Sequence, residues 1–325
     1  MDGLKLRSVG RTDLQLSALG LGCWQFSNGR GLIGGYWSSI AERGVREIVE
    51  TTLDGGINWF DTAEIYGRGG SERALAHALS TLDVASDNVV IATKWWPLGR
   101  RAASIAQTFP ERVSCLSPYP ITLHQIHQPF SLASIPSQMK EMARLHEQGL
   151  IRAVGVSNFS AAQMRAAHKA LAGYGIPLAS NQVKYSLLDR RIERNGVLDT
   201  AHDLGISIIA YSPLEQGILT GAFHRDADRL KVLRGARKLQ VTAKRIETSR
   251  PLIDRLETFA KKYEATASQI ALHALVTLHG ELVFAIPGAS NVRQAQENAG
   301  ALHISLTEEE RSEIQELSLR VVANG

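Results

Sequence analysis

The chain has 325 residues, 44% of them hydrophobic, and its 36 Lys and Arg against 32 Asp and Glu give a formal net charge of +4. This composition supports a large buried core, excludes disorder and collagen-like structure, and is too mildly basic to require nucleic acid as a partner. Cys23 and Cys115 are the only cysteines and sit outside any CxxC or Cys/His ladder. Neither a disulfide framework nor a metal site is therefore expected, and a reducing cytoplasm fits best. The opening MDGLKLRSVG has neither the basic start nor the apolar run of an export signal. The long uncharged stretch 115–139 is broken by Pro118, Pro120, Pro129 and Pro136, so no membrane span is expected.

In chain order, residues 4–16 alternate apolar and polar around Gly10 and Arg11, the pattern of a β-hairpin. Short apolar runs follow at 18–22, 57–60, 88–93, 121–126, 151–156, 179–183, 206–210 and 283–286. Between them lie helical spacings: Val45, Ile48 and Val49 in one segment, Ile135, Met139, Met142 and Ala143 in another. Ser160 precedes a helical face, and Thr266 with Gln269, like Thr307 with Glu310, makes a capping-box pattern. Eight strands alternating with helices predict an α/β fold of the (β/α)8 barrel type, spanning 1–325 as one domain, with the hairpin ahead of it and extra loops and helices toward the carboxyl end. One of these additions, 225–250, carries nine Lys and Arg against three acids. It reads either as a solvated basic surface or as a cover over a phosphate-bearing ligand.

Parallel barrels place their active sites at the carboxyl ends of the strands. The run ends here carry Asp61 with Tyr66 in the following loop, then Lys94, His127, Ser157 with Asn158, Asn181 with Gln182, Tyr211 with Ser212, and Gly288. A lysine in a polarised pocket needs a carboxylate partner, and Asp61 can be that partner. A charged lysine beside a tyrosine stabilises the phenolate, so the Tyr66 pKa is expected to fall and make it a proton donor near neutral pH. His127 could complete the relay or orient a carbonyl oxygen.

The ordered motifs SVGRTDLQLSALGLG, NWFDTAEIYGRGGSE, VVIATK, LHQIHQP, GLIRAVGVSNFS, NQVKYSLL, IIAYSPLEQGILTG and FAIPGASNVRQAQENAGAL cover essentially the whole chain. On these motifs the chain resembles the aldo-keto reductase superfamily. The resemblance implies a (β/α)8 barrel that binds NADPH, or alternatively NADH, without a Rossmann domain, and a catalytic tetrad of Asp61, Tyr66, Lys94 and His127. It further implies that Ser157, Asn158 and Gln182 hold the nicotinamide carboxamide and that Tyr211 stacks on the ring. Ser212, Leu214, Gly217 and Leu219 would line the pyrophosphate path, and Gly288, Ser290, Gln294, Glu297 and Asn298 would surround the adenosine.

The implied reaction is hydride transfer to an aldehyde or ketone with Tyr66 as proton donor. A sugar or polyol dehydrogenase and a cofactor-binding regulatory subunit are the alternatives. Trp24, Trp95 and Trp96 adjoin the strand ends and suggest an aromatic-walled pocket for a small carbonyl or sugar substrate. Four positions depart from the family pattern: His124 stands for a tyrosine, Phe130 for an aspartate, Gln216 for a glycine, and Ser290 for an arginine that reaches the 2′-phosphate of NADPH. Two patterns are set aside. The GxGxxG at 29–34 is not followed by a helix start, and His124 and His127, three apart on a strand, should face opposite ways rather than share a metal.

Overall fold

Every one of the eight apolar runs forms a strand in the computed structural model, which describes residues 5–27, 29, 39–233 and 235–324. The amino-terminal hairpin pairs β1 (Arg7–Ser8) with β2 (Gln15–Leu16). The barrel strands are β3 (Leu21–Gly22), β4 (Trp59–Asp61), β5 (Val90–Trp95), β6 (Leu123–Ile126), β7 (Ala153–Ser157), β8 (Leu178–Lys184), β9 (Ser207–Tyr211) and β10 (Val283–Ala285). Between them run α1 (Glu42–Asp54), α2 (Gly70–Thr81), α3 (Ser104–Leu116), α4 (Ile135–Glu147), α5 (Ala161–Ala172) and α6 (Val197–Leu204). Then come α7 (Ala222–Arg225), α8 (Gly235–Gln240), α9 (Ala243–Lys262) and α10 (Ala267–Thr277), with α11 (Val292–Gly300) and α12 (Glu308–Asn324) after β10.

The barrel strands pair in parallel in chain order. Closure comes from the segment leading into β3: Gly20 N donates to Ala285 O at 2.9 Å and Ala285 N to Ala18 O at 3.0 Å. Strands covered by side chains on both faces need apolar residues at consecutive positions, which is why they read as unbroken runs. Capping also follows the sequence pattern. Ser160 and Thr266 each accept from the N3 backbone N–H, while Gln163 and Gln269 reach back to close the boxes at α5 and α10. Thr307 N donates to Glu310 Oε2 at 2.9 Å at the start of α12.

Inside the barrel, Trp59, Ala92, Leu123, Ala153, Ala179, Ile209 and Phe284 make one apolar cluster with Val9, Leu14 and Leu16 of the hairpin segment. The hairpin thus closes the amino-terminal end, leaving the carboxyl end open. Gly10 makes this seat possible. Its φ is +57°, and a Cβ there would stand 2.6 Å from Ala179 O.

In the 225–250 segment four of the nine cations are matched locally: Arg225 with Glu257, Arg229 with Asp226, Lys231 with Asp228, and Arg250 with Asp254. The solvated-surface reading holds for these. None of the described helices is long and apolar enough to cross a membrane.

Candidate active site

Because strand side chains alternate with a period of two, a residue two positions beyond the apolar layer occupies the next layer toward the open end. Trp59 is followed in this way by Asp61, Ala92 by Lys94, and Leu123 by Gln125. The second layer is polar and fully enclosed, with Asp61 1% exposed and Lys94 and Gln125 0%. Lys94 Nζ bonds to Asp61 Oδ1 and donates to Thr62 O at 2.8 Å. The other carboxylate oxygen, Asp61 Oδ2, accepts from Gln182 Nε2 at 2.8 Å and Gln125 Nε2 at 3.1 Å. Gly155 leaves the space for this arrangement, since a Cβ there would meet Ser180 Oγ at 2.7 Å and Gln125 Cγ at 2.9 Å.

Above this layer Lys94 Nζ lies 5.1 Å from the centroid of the Tyr66 ring. Tyr66 in turn meets His127 edge-on, with centroids 5.7 Å apart. Asp61, Tyr66, Lys94 and His127 are therefore brought together at the carboxyl end of the barrel. Gln125 belongs with them and was not singled out in the sequence. Its position two residues before His127, on the same strand face, was the available signal.

Electrostatics sort these groups. Burial opposes the charge on Lys94, yet Asp61 and then Tyr66 outweigh it and hold the ammonium above its usual range. For Tyr66 the expectation of a lowered pKa is reversed: burial pushes the phenol up, and the pull of Lys94 in the other direction only partly offsets it. Burial first, and the Lys94 charge second, hold His127 well below its usual value, so the imidazole is neutral at neutral pH. Its Nδ1 is buried without a hydrogen-bond partner.

These groups open into a cavity of about 740 Å³, within the usual range for small-molecule sites. Of the expected cofactor residues, Ser157, Asn158, Gln182, Tyr211, Ser212, Leu214, Gly217, Gly288, Ser290, Gln294, Glu297 and Asn298 all line it, as do Trp24 and Trp96. Two expectations are corrected. Trp95 adjoins Lys94 on the strand and must face the opposite way, so its indole lies outside the barrel and donates to Ser104 Oγ at 3.1 Å. Leu219 is fully buried in a separate apolar cluster with Leu252, Leu256 and Ala271. The turns of 215–220 carry it away from the cavity.

Local structure fixes the cavity wall. Asn158 sits at φ +60°, its Nδ2 donating to Ser157 Oγ at 3.1 Å and its Oδ1 accepting from Tyr211 OH at 3.1 Å. In the following loop Ser212, Glu215 and Gln216 all have positive φ, with Gln216 at +56°, a conformation that suits glycine. Glu215 anchors this loop through ion pairs with Lys184 at 3.0 Å and Arg245 at 2.9 Å. Arg237 lines the cavity and donates to Gln216 O at 3.3 Å, the one contribution of the basic segment to the lining among the described residues. Nothing in the sequence separates it from the segment's other cations. At the far end Ser290 N donates to Gln294 Oε1 at 2.7 Å, and Asn298 Nδ2 to Gly288 O at 3.2 Å.

The donor set suits a nicotinamide dinucleotide. It offers side-chain amides and a flat phenol near the polar layer, a turn with a cation midway, and small polar groups beyond. His124 does not join His127. It packs on Phe109 on the outer side of β6, with ring centroids 5.4 Å apart, as strand alternation requires. Apart from Gly29, the 29–34 glycine pattern lies outside the described residues.

Architecture and geometry together define a (β/α)8 protein with a small-molecule site at the carboxyl ends of its strands. Residues 18–319 match the model of the aldo/keto reductase family, and the chain belongs to that family. It is 32% identical over 317 residues to the chloroplastic pyridoxal reductase of Arabidopsis thaliana, covering 93% of this chain and 83% of that one. It is likewise 32% identical over 343 residues to the NADH-specific methylglyoxal reductase of Escherichia coli, covering 97% and 98%. Among solved structures, the glycerol dehydrogenase of Gluconobacter oxydans superposes with a TM-score of 0.81 at 28% identity, covering 100% of this chain and 98% of that one. Family membership makes this chain an oxidoreductase of the nicotinamide-dependent, carbonyl-reducing kind.

Proposed function

We propose that the protein reduces an aldehyde or ketone to an alcohol, with Tyr66 supplying the proton. The observation that carries this reading is the Tyr66 phenol held beside a charged, carboxylate-paired Lys94 in a cavity lined by Asn158, Gln182 and Tyr211.

A reduced nicotinamide, when bound, would supply the hydride for the carbonyl carbon. The chain does the rest. Ser157, Asn158 and Gln182 would hold the carboxamide, Gln182 being oriented by the bond from its Nε2 to Asp61 Oδ2. Tyr211 would support one face of the ring and leave the other to the substrate. Ser212, Leu214, Gly217 and Arg237 would line the path of the pyrophosphate, while Gly288, Ser290, Gln294, Glu297 and Asn298 would surround the adenosine. A raised pKa keeps the proton on Tyr66 until the carbonyl oxygen gains charge. Lys94 then balances the phenolate, and Asp61, braced by Gln125 and Gln182, keeps Lys94 charged. Neutral His127 orients the oxygen without competing for the proton.

NADH is favoured over the NADPH expected from the resemblance. A 2′-phosphate needs charged donors, and the adenosine end presents Ser290, Gln294, Asn298 and the Glu297 carboxylate. Arg293 alongside is already paired with Glu297 at 3.2 Å.

Trp24 and Trp96 line the cavity, so their fluorescence reports binding. Titration should give NADH a Kd at or below that of NADPH, and adding a reactive aldehyde should oxidise the bound cofactor. Failure of both nucleotides to bind would overturn the reading. Binding without turnover across many carbonyls would support a regulatory role instead.

A further inference from the structure

Glu64 occupies the loop between β4 and α2, two residues before Tyr66, and is not among the residues lining the cavity. Its side chain is nonetheless only 7% exposed, and its carboxylate reaches the loop that follows β5. Oε1 accepts from Trp96 N at 2.5 Å and from Arg100 Nη1 at 2.6 Å. Its own backbone N donates to Lys94 O at 3.3 Å. Arg100 extends the connection, since its carbonyl accepts from Ser131 Oγ at 3.1 Å and Leu132 N at 3.1 Å. The carboxylate therefore ties the Tyr66 loop to the Trp96 loop, and the Arg100 backbone carbonyl ties the Trp96 loop to the one that carries Phe130.

The tie bears on the aromatic wall. The Trp96 ring stands edge-on to His127 at 5.1 Å and to Phe130 at 5.7 Å between centroids. Trp96 is the first residue beyond β5, so its backbone N–H has no strand partner to fix it, and Glu64 takes that place. We propose that Glu64, through Trp96 and Arg100, is a positioning residue that sets this wall and thereby the selection of carbonyls bearing a planar apolar group. The inference rests on the proposed carbonyl reduction for its kinetic meaning, but its structural content does not.

The test compares Glu64→Ala, Glu64→Gln and Arg100→Ala with wild type, using Trp96→Phe as the spectral reference. The near-ultraviolet circular dichroism that Trp96→Phe abolishes reports the seating of Trp96 without any turnover. Charge-assisted hydrogen bonds to a buried carboxylate set a scale of about tenfold or more. Glu64→Ala should lose the Trp96 signal and raise KM for benzaldehyde by about that factor, while KM for propanal and the nucleotide Kd move by less than about threefold. Glu64→Gln keeps an acceptor for the Trp96 N–H and should recover most of the signal. If Glu64→Ala does not fold, Arg100→Ala, whose side chain is 36% exposed, should show the same selective rise in KM. An unchanged Trp96 signal with unchanged KM values overturns the proposal, as does an equal loss on both aldehydes together with weakened nucleotide binding. A wild type that reduces neither aldehyde defeats the proposed function instead, and the spectral arm still decides the role of Glu64.

Discussion

Removing both charges of the buried Lys94–Asp61 pair should destabilise the protein far less than the two single removals added together. Lys94 and Asp61 are 0% and 1% exposed, and Asp61 keeps only two neutral donors, Gln125 and Gln182, once the ammonium is gone. Lys94→Met strands a carboxylate away from water, at a cost of about 3–5 kcal/mol. Asp61→Asn strands the ammonium, which retains Thr62 O at 2.8 Å, and its cost should fall at the lower end of that range. The double variant leaves no uncompensated charge, so its loss should be smaller than the sum of the single losses by about 3 kcal/mol. Urea unfolding of the four proteins, followed by tryptophan fluorescence, yields this coupling directly. Single losses that add to within about 0.5 kcal/mol would refute the reasoning.

Ser290→Arg should tighten NADPH binding by about 10–100-fold, the scale of one charge-assisted contact to a phosphate, and leave NADH within about threefold. Fluorescence titration measures both, and an unchanged NADPH Kd would show that the 2′-position lies elsewhere. Gly10→Ala forces a side chain into a left-handed conformation 2.6 Å from Ala179 O, and a loss of at least about 2 kcal/mol is expected from denaturant midpoints. His124 is held down to about 4 from 6.5, by burial first. Between pH 6.5 and 4 the folded chain therefore binds fewer protons than the unfolded one, and stability is lost as pH falls through that window, by about 3 kcal/mol for this group. His124→Gln should flatten that part of the urea-midpoint profile, and an identical acid slope in the variant would contradict the assignment.

Much of the site could be read from the sequence because strand periodicity is rigid. A barrel strand buried on both faces announces itself as an apolar run, and the residues that close each run, Asp61, Lys94 and His127 among them, fall at the open end. The same rule, applied one step further, would have found Gln125 and turned Trp95 outward, since adjacent strand residues cannot share a face. Leu219 escaped because the 215–220 segment obeys neither period, with positive φ at Glu215, Gln216 and Gly217. The shift of Tyr66 runs against the expectation for a different reason. Sequence proximity identifies a charged neighbour, but the larger contribution, the loss of water around the phenol, depends on packing from several loops. Arg237 illustrates the same limit, because its reach into the cavity is decided by the fold of α8 and not by the charge pattern around it.

The central claim is that this barrel moves a hydride to a carbonyl carbon while Tyr66 donates the proton. Its most direct test is to incubate the protein with an aldehyde and NADH deuterated at C4 on the transferred face, and to weigh the alcohol formed. The account predicts one deuterium on the carbinol carbon with wild type. With Tyr66→Phe, the nucleotide should still bind within about threefold and alcohol formation should fall by at least about 100-fold. Alcohol without the label, or full activity in Tyr66→Phe, would contradict it.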